Sequence, residues 1–582
     1  MASTSPTTKK SADRRPLIHG NEAVWHKSAP KTVVRAYAAE DGWKAWQKHL
    51  AERKKPKPPV KLLPGRSWPL AWAMADDVLP KTKMKQDAIL AWLEESVGEK
   101  NRLAYALQAV ALAVELPELS AKISEDAWWA VLNHLLKTVG ESAAISVEED
   151  PLPQQLLGGE LPLVLAYLLP EIKPCAKLAD EARETLSTAL GELLDGEGVL
   201  DAEYADLFRP LLACWTRCSA IGEKLRGGCW TKDADNDYQW MVRTALRTAR
   251  ADGTQAFSTG PEGAWSASLL EAALELGGDE DDEDIAQRVL PRRKRPTEDF
   301  ELPPAAVHSE WASTAVLQPF WGANQPRLTV LYPGSDLSAE LQCGGEVLFS
   351  GKWGLEIQID GKPAKPDGDW QEVCWFSDDD VDYLELELDF DKKGLRLQRQ
   401  MLLAREDGFL MLADALLCDD IAKIDYIGTL PLCEGVKFEA AEESFEGTVC
   451  GKKPRARVLP LAMPEWRAEE SPGDLAQTDG ELQLRQTAEG TGLYAPLFID
   501  LDRSRRSRVF TWRRLTVAES LEIQTPDRAA GYRVAIGDEQ WLIYRSLTPP
   551  VNRTLLGHNL SSEMLVAQFE RTGEVQPLME IE

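Results

Sequence analysis

A helical array followed by a large antiparallel β region is the fold class that the sequence predicts, on three observations. From about residue 68 to 276, apolar residues recur at helical spacing. After about residue 305 the period switches to two. Between them, residues 277–304 (GGDEDDEDIAQRVLPRRKRPTEDFELPP) join an acid run, a basic run and prolines, the composition of an exposed linker. The expected organisation is a disordered 1–16, a helical domain 17–276, a charged linker 277–304 and a β-sandwich domain 305–582.

In the first half, helical pieces are expected around 31–53, then a Pro/Lys linker, ERKKPKPPVKLLPG, that cannot be helical throughout. Leu103, Leu107, Val110 and Val114 share one helical face, as do Leu178, Ala182, Leu186, Ala189 and Leu193. Ser124 is placed to cap a helix, with Glu125 and Asp126 favourable at its positive end. The stretch 191–218 ends one helix at Leu194, turns at Asp195-Gly196 and starts another near Asp201, with Tyr204 one turn in. Asp252-Gly253 repeats the pattern, leading to a helix near Trp265. Repeated helix–turn–helix pairs bury their faces on one another, and curved into a ring they form an α/α toroid, here incomplete.

In the second half, Leu384, Leu386, Leu388 and Phe390 alternate with Glu385, Glu387 and Asp389, giving one core face and one water face. Leu355, Ile357 and Ile359 repeat the alternation, and Gly344-Gly345 separates two strands of a hairpin. Leu395 to Asp414 reads as two strands around a turn at Glu406-Asp407-Gly408. Further strands at turn-like spacing, without a strong helix, predict a large antiparallel β-sandwich.

A chain of 582 residues exceeds one ordinary core and implies two or three domains. Its net charge of −28 repels phosphate backbones, which excludes nucleic acid as the expected partner. The nine cysteines are scattered without a CxxC pair, as in a reducing compartment. Cys214 and Cys218, four apart on a helix, lack two further ligands at metal-site spacing and read as buried thiols. The acid run Asp279 to Asp284 lacks the glycine and closing Glu of a Ca²⁺ loop. No metal or cofactor is therefore expected, and no P-loop, GxGxxG, GxSxG or HExxH motif stands in a recognisable context. The start has no apolar run, and no apolar stretch of about 18 residues occurs, so the expectation is a cytoplasmic location without membrane insertion. The oligomeric state is left open.

Three stretches carry a resemblance. RLQRQMLLAREDGFLMLADAL (396–416) looks like paired strands in which a basic strand leads through a turn to an apolar strand ending in Asp. AWWAVLNHLLKTVG (127–140) holds an Asn-His pair on a helix, and GVLDAEYADLFRPLL (198–212) holds a Tyr on the next turn–helix element. Together with the two-part architecture after about residue 70, they resemble the heparinase II/III-like and alginate-lyase-like polysaccharide lyases. The resemblance implies β-elimination on a uronate-containing oligosaccharide. Asn133 and His134 would neutralise the uronate carboxylate, and Tyr204 would take the C5 proton and return one to the leaving oxygen. That family also places a His near the start of the β domain. The corresponding TVLYPGSDLSAELQCGGEV has Asp336 and no His, and His308 lies upstream.

Each candidate also has a structural alternative. Tyr204 stands among Asp201, Glu203 and Asp206, which would raise its pKa; Arg209 and Arg217 would help only if the fold brought them round. Asn133 and His134 flank an apolar face of Trp128, Leu132, Leu135 and Val139, and serve equally well as boundary residues. Trp128, Trp129, Trp215, Trp230, Trp240 and Trp265 cluster in the helical half, and most of them read as core. Trp230, after Gly227-Gly228, is the groove candidate for stacking a sugar. Arg503, Arg505, Arg506, Arg508, Arg513 and Arg514 form the densest basic cluster, suited to an anionic ligand or to a solvated hairpin. The functional expectation is thus an oligosaccharide lyase with Tyr204, His134 and Asn133 as catalytic groups and Trp230, Arg209 and Arg217 on an acidic oligosaccharide. The alternative is a catalytically inactive glycan-binding or scaffold relative.

Overall fold

The computed structural model of the chain describes residues 18–19, 24–39, 41–53, 86–95, 102–258, 267–291, 293, 301–392, 394–570 and 572–582. The expected disordered start, most of the Pro/Lys linker and Trp265 lie outside the described residues. The chain divides into two compact units, one of Met1–Ala245 with Gly253–Glu283, the other of Leu246–Asp252 with Asp284–Glu582.

The first unit is helical. Its longer helices are Arg102–Leu119, Glu125–Ser142, Leu178–Leu193, Phe208–Gly222 and Lys232–Arg247. Arg102–Leu119 is rich in Ala, Leu and Val and is buried nearly all round, as a helix must be when neighbours cover more than one side. Leu178–Leu193 buries the stripe Leu178, Ala182, Leu186, Ala189, Leu190 and Leu193. Ser124 caps Glu125–Ser142, its side chain accepting from the Ala127 N–H. A π-helical turn, Gln155–Glu160, runs into Leu161–Leu168. Gly159 belongs there because a Cβ would sit 2.5 Å from Leu186 Cδ2. The Asp195-Gly196 turn is held by Asp195 Oδ1, which accepts from the N–H groups of Glu197 and Val199. Gly198 (φ +71°) follows where a Cβ would come within 2.2 Å of the Met241 nitrogen, so only glycine fits without displacement.

The second unit is antiparallel β throughout its named pairings. One sheet is a five-stranded meander from Val307–Ser309 to Glu346–Lys352. An eleven-stranded sheet centres on Glu481–Asp500, Phe409–Pro431, Arg396–Ala404 and Val381–Asp389. A five-stranded sheet runs Phe510–Leu515, Ala529–Ile536, Glu539–Ser546, Met564–Phe569, Val575–Ile581, and a four-stranded sheet includes Val517–Glu519 and Arg553–Leu555. The hairpin expected around Glu406-Asp407-Gly408 pairs Ala404 with Phe409 and Arg399 with Asp414. That register sets a buried bidentate ion pair, Arg399 Nε and Nη2 to the Asp414 oxygens at 2.8 Å each, with Tyr426 donating to Asp414 at 2.7 Å.

Two expectations are corrected. The 277–304 stretch is not wholly linker, because Glu280–Val289 is a helix that buries Asp282, Ile285 and Ala286. Arg243 drives this, donating to Asp282 at 2.7 Å and to Asp279 at 2.8 Å, so part of the acid run is a set of partners for a buried guanidinium. The alternating strand Val381–Asp389 does not turn all its acids to water either. Glu385 is only 2% exposed, accepting from Tyr383 at 2.6 Å and from Arg545 at 3.1 Å. A buried cation supplied from Glu539–Ser546 lets a carboxylate occupy an interior position. The nine cysteines are unbridged.

Candidate functional site

The candidate residues all lie in the helical unit, and each has a defined set of partners. Tyr204 sits in a 3₁₀ turn, Ala202–Leu207, rather than in a regular helix. Asp201 starts the turn by accepting from the Glu203 N–H. The Tyr204 hydroxyl donates to the Glu148 carbonyl oxygen at 2.7 Å. Burial raises its pKa, and the carboxylates of Glu203, Asp201 and Glu148 raise it further.

Asn133 and His134 follow one another on Glu125–Ser142 and point to different neighbourhoods. Asn133 Oδ1 accepts from the Ile18 N–H, while its Nδ2 donates to the Ile18 and Trp129 carbonyls, at 2.8 and 2.9 Å. The amide thus splices the segment at Ile18 onto the helix. His134 Nε2 lies 2.9 Å from the Tyr105 hydroxyl, which is also 2.5 Å from Thr138 Oγ1. Trp92 stacks on Tyr105 and meets the imidazole edge-on at 5.3 Å between centroids. Burial lowers the His134 pKa from its ordinary value, and nearby Lys137 adds to this. Among the described residues no hydrogen bond joins Tyr204 to Asn133 or His134.

Trp230 is mostly buried, its Nε1 donating to Asp235 at 2.8 Å and its ring tilted against Tyr238 at 4.9 Å. The Gly227-Gly228 bend before it is tied to Arg183, whose Nη2 donates to the Gly228 carbonyl at 3.2 Å. Arg217 is 3% exposed and bonded through Nε and Nη2, each at 2.6 Å, to the two oxygens of buried Glu160. Its Nη1 has no hydrogen-bond partner among the described residues. Arg209 is likewise only partly paired. Its Nε donates to Gln255 Oε1 at 2.8 Å, while Nη2 has no hydrogen-bond partner among the described residues. Burial pulls its pKa down to about 10, which still leaves it a cation at neutral pH.

Sequence reasoning missed Tyr105 and Trp92 around His134 and missed Glu160. The signal for Glu160 was present in PLPQQLLGGELPLVL, where a lone acid interrupts an apolar run. The basic cluster 503–514 is dispersed by the fold. Arg505 bonds Asp500 and Glu539, Arg506 bonds the Arg455 carbonyl, and Arg513 and Arg514 are exposed.

No protein-family model matches the chain, and no curated protein does. Solved structures do. A heparinase III superposes with a TM-score of 0.61 at 10% identity, covering 90% of this chain and 99% of that one. A second heparinase III superposes with a TM-score of 0.61 at 9% identity over 93% of this chain and 100% of its own. The heparan sulfate lyase of Pedobacter heparinus gives a TM-score of 0.54 at 11% identity over 90% and 98%. The chain therefore has the heparinase III fold, an α/α toroid-type helical region followed by a β-sandwich.

Proposed function

We propose that this chain is an oligosaccharide-binding protein built on the heparinase III fold and that Asn133, His134 and Tyr204 do not perform β-elimination in it. Tyr204 carries this reading. A phenol with an ordinary pKa of about 10 needs positive charge beside it to act as a base at neutral pH. Here burial and three acidic residues act in the opposite sense, and the hydroxyl proton is already donated to Glu148. The proposed neutralisers are equally committed, Asn133 to backbone groups and His134 to Tyr105. Arg209, whose buried Nη2 lacks a hydrogen-bond partner among the described residues, is the helical-unit group proposed for the carboxylate of an acidic oligosaccharide. The unbridged cysteines support a reducing, cytoplasmic setting, which subcellular fractionation would check. No helix among the described residues is long and apolar enough to cross a membrane.

Calorimetry with alginate, heparan sulfate and chondroitin sulfate oligosaccharides, run beside ultraviolet absorbance of the same mixtures, tests the reading. The expected result is binding that Arg209→Leu weakens, with no growth of unsaturated product. No binding by any of the three would leave a scaffold. A second reading, an oligosaccharide lyase, is favoured by the accessibility of the Tyr204 side chain. Absorbance that rises with wild type and vanishes with Tyr204→Phe would establish it.

A further inference from the structure

A cleft within the β unit has about 870 Å³ of space and is lined by none of the residues discussed above as catalytic. Its walls come from the 462–472 loop, the middle of Glu481–Asp500, the strand Phe510–Leu515 and the turn at 525–527. That volume is in the range of about 300–1,000 Å³ typical of small-molecule sites. We propose that it binds an uncharged oligosaccharide.

Three observations converge on that ligand. Trp466 lines the cleft and is 48% exposed, which leaves its ring face open to the C–H face of a sugar. Tyr532 and Tyr494, each only 2% exposed, border the cleft behind it, with ring centroids 6.4 Å apart. Gln486 is 8% exposed, donates from Nε2 to the Tyr494 carbonyl at 3.0 Å, and has an Oε1 without a hydrogen-bond partner among the described residues. A buried acceptor in a cleft wall costs free energy unless a donor arrives, and a sugar hydroxyl supplies one.

Charge selects among sugars. The lining holds five carboxylates (Glu465, Glu469, Glu470, Glu489 and Asp527) against two guanidiniums, Arg513 and Arg514, a balance of −3. Glu465 is engaged by Thr511 and Asp527 by the Thr491 N–H. Uronates and sulfated sugars would meet net repulsion there. Neutral hydroxyls would not, and carboxylates are good acceptors for vicinal diols. The ligand class rests on the oligosaccharide-binding reading above, but the site lies in a different unit and selects neutral over acidic sugars.

The test uses the full chain, with cellotetraose, mannotetraose and chitotetraose as neutral probes and an alginate tetrasaccharide as the anionic one. Calorimetry and tryptophan fluorescence are the readouts. At least one neutral probe is expected to bind, with Trp466→Ala and Gln486→Leu each weakening it by about tenfold or more. Arg209→Leu should leave that affinity unchanged. Trp466 is exposed, so its loss does not threaten the fold, and circular dichroism confirms this for both variants. Failure of all three neutral probes, or neutral binding that survives both substitutions, overturns the proposal. Alginate binding that depends on Arg209 but not on Trp466, without neutral binding, would sink this site while sparing the acidic-ligand reading.

Discussion

Replacing Arg217 by Met separates a structural guanidinium from a ligand-binding one. Its charge is matched by Glu160 through two 2.6 Å bonds, and both side chains are almost fully enclosed, at 4% and 2% exposure. Removing the cation strands a carboxylate in the interior, a loss of about 3–5 kcal/mol in comparable buried pairs. At roughly 2–4 °C per kcal/mol for domains of 150–250 residues, the helical unit should melt about 6–20 °C lower. The double variant Glu160→Leu/Arg217→Met removes both charges and should recover most of that loss, because two apolar side chains replace a pair whose desolvation offsets its attraction. Thermal melting followed by far-ultraviolet circular dichroism gives the readout. A single variant that melts like wild type but binds uronate oligosaccharides more weakly would refute this reasoning.

Tyr204→Phe removes one exposed hydrogen bond to Glu148 and should cost about 1 kcal/mol or less in denaturant titration, with oligosaccharide affinity unchanged in calorimetry. Gly198→Ala should destabilise the helical unit by about 2 kcal/mol or more by thermal melting, since it combines positive φ with a 2.2 Å approach to Met241; a wild-type melting curve would show that the turn relaxes freely. The β unit should lose stability in acid through His308, whose ring lies 2.8 Å from the Tyr332 hydroxyl and stacks on Trp375, and whose pKa burial lowers to about 4. A folded pKa below the unfolded value means that the unfolded chain binds the proton more readily. Stability is therefore intact above about pH 6.5 and falls as pH drops towards 4, by at most about 3 kcal/mol at 1.36 kcal/mol per pH unit. The Glu372 carboxylate, 3.4 Å from the ring, makes the true loss smaller. His308→Gln should flatten that part of the stability profile measured by urea unfolding.

The two-part fold was legible because it depends on local period. Leu178 to Leu193 shows its helical stripe, and Arg396 to Asp414 its hairpin, without any knowledge of distant residues. What was not legible was the destination of charged groups. Glu385 looks solvated in a strand whose neighbours alternate, and only Arg545, far along the chain, makes it an interior residue. Arg217 stands in a stretch resembling a catalytic helix, yet Glu160 consumes it. The same blindness applies to Tyr204. Spacing places a tyrosine after a turn, but the carbonyl that accepts its hydrogen bond comes from Glu148, outside the turn and helix that carry it. Periodicity reports which side of an element is apolar. It does not report which polar partner fills the space on the other side. A heparinase-type fold can therefore be read from this chain while its chemistry cannot, because β-elimination depends on which tyrosine neighbour is cationic. In the helical unit the charges that act on Tyr204 are carboxylates.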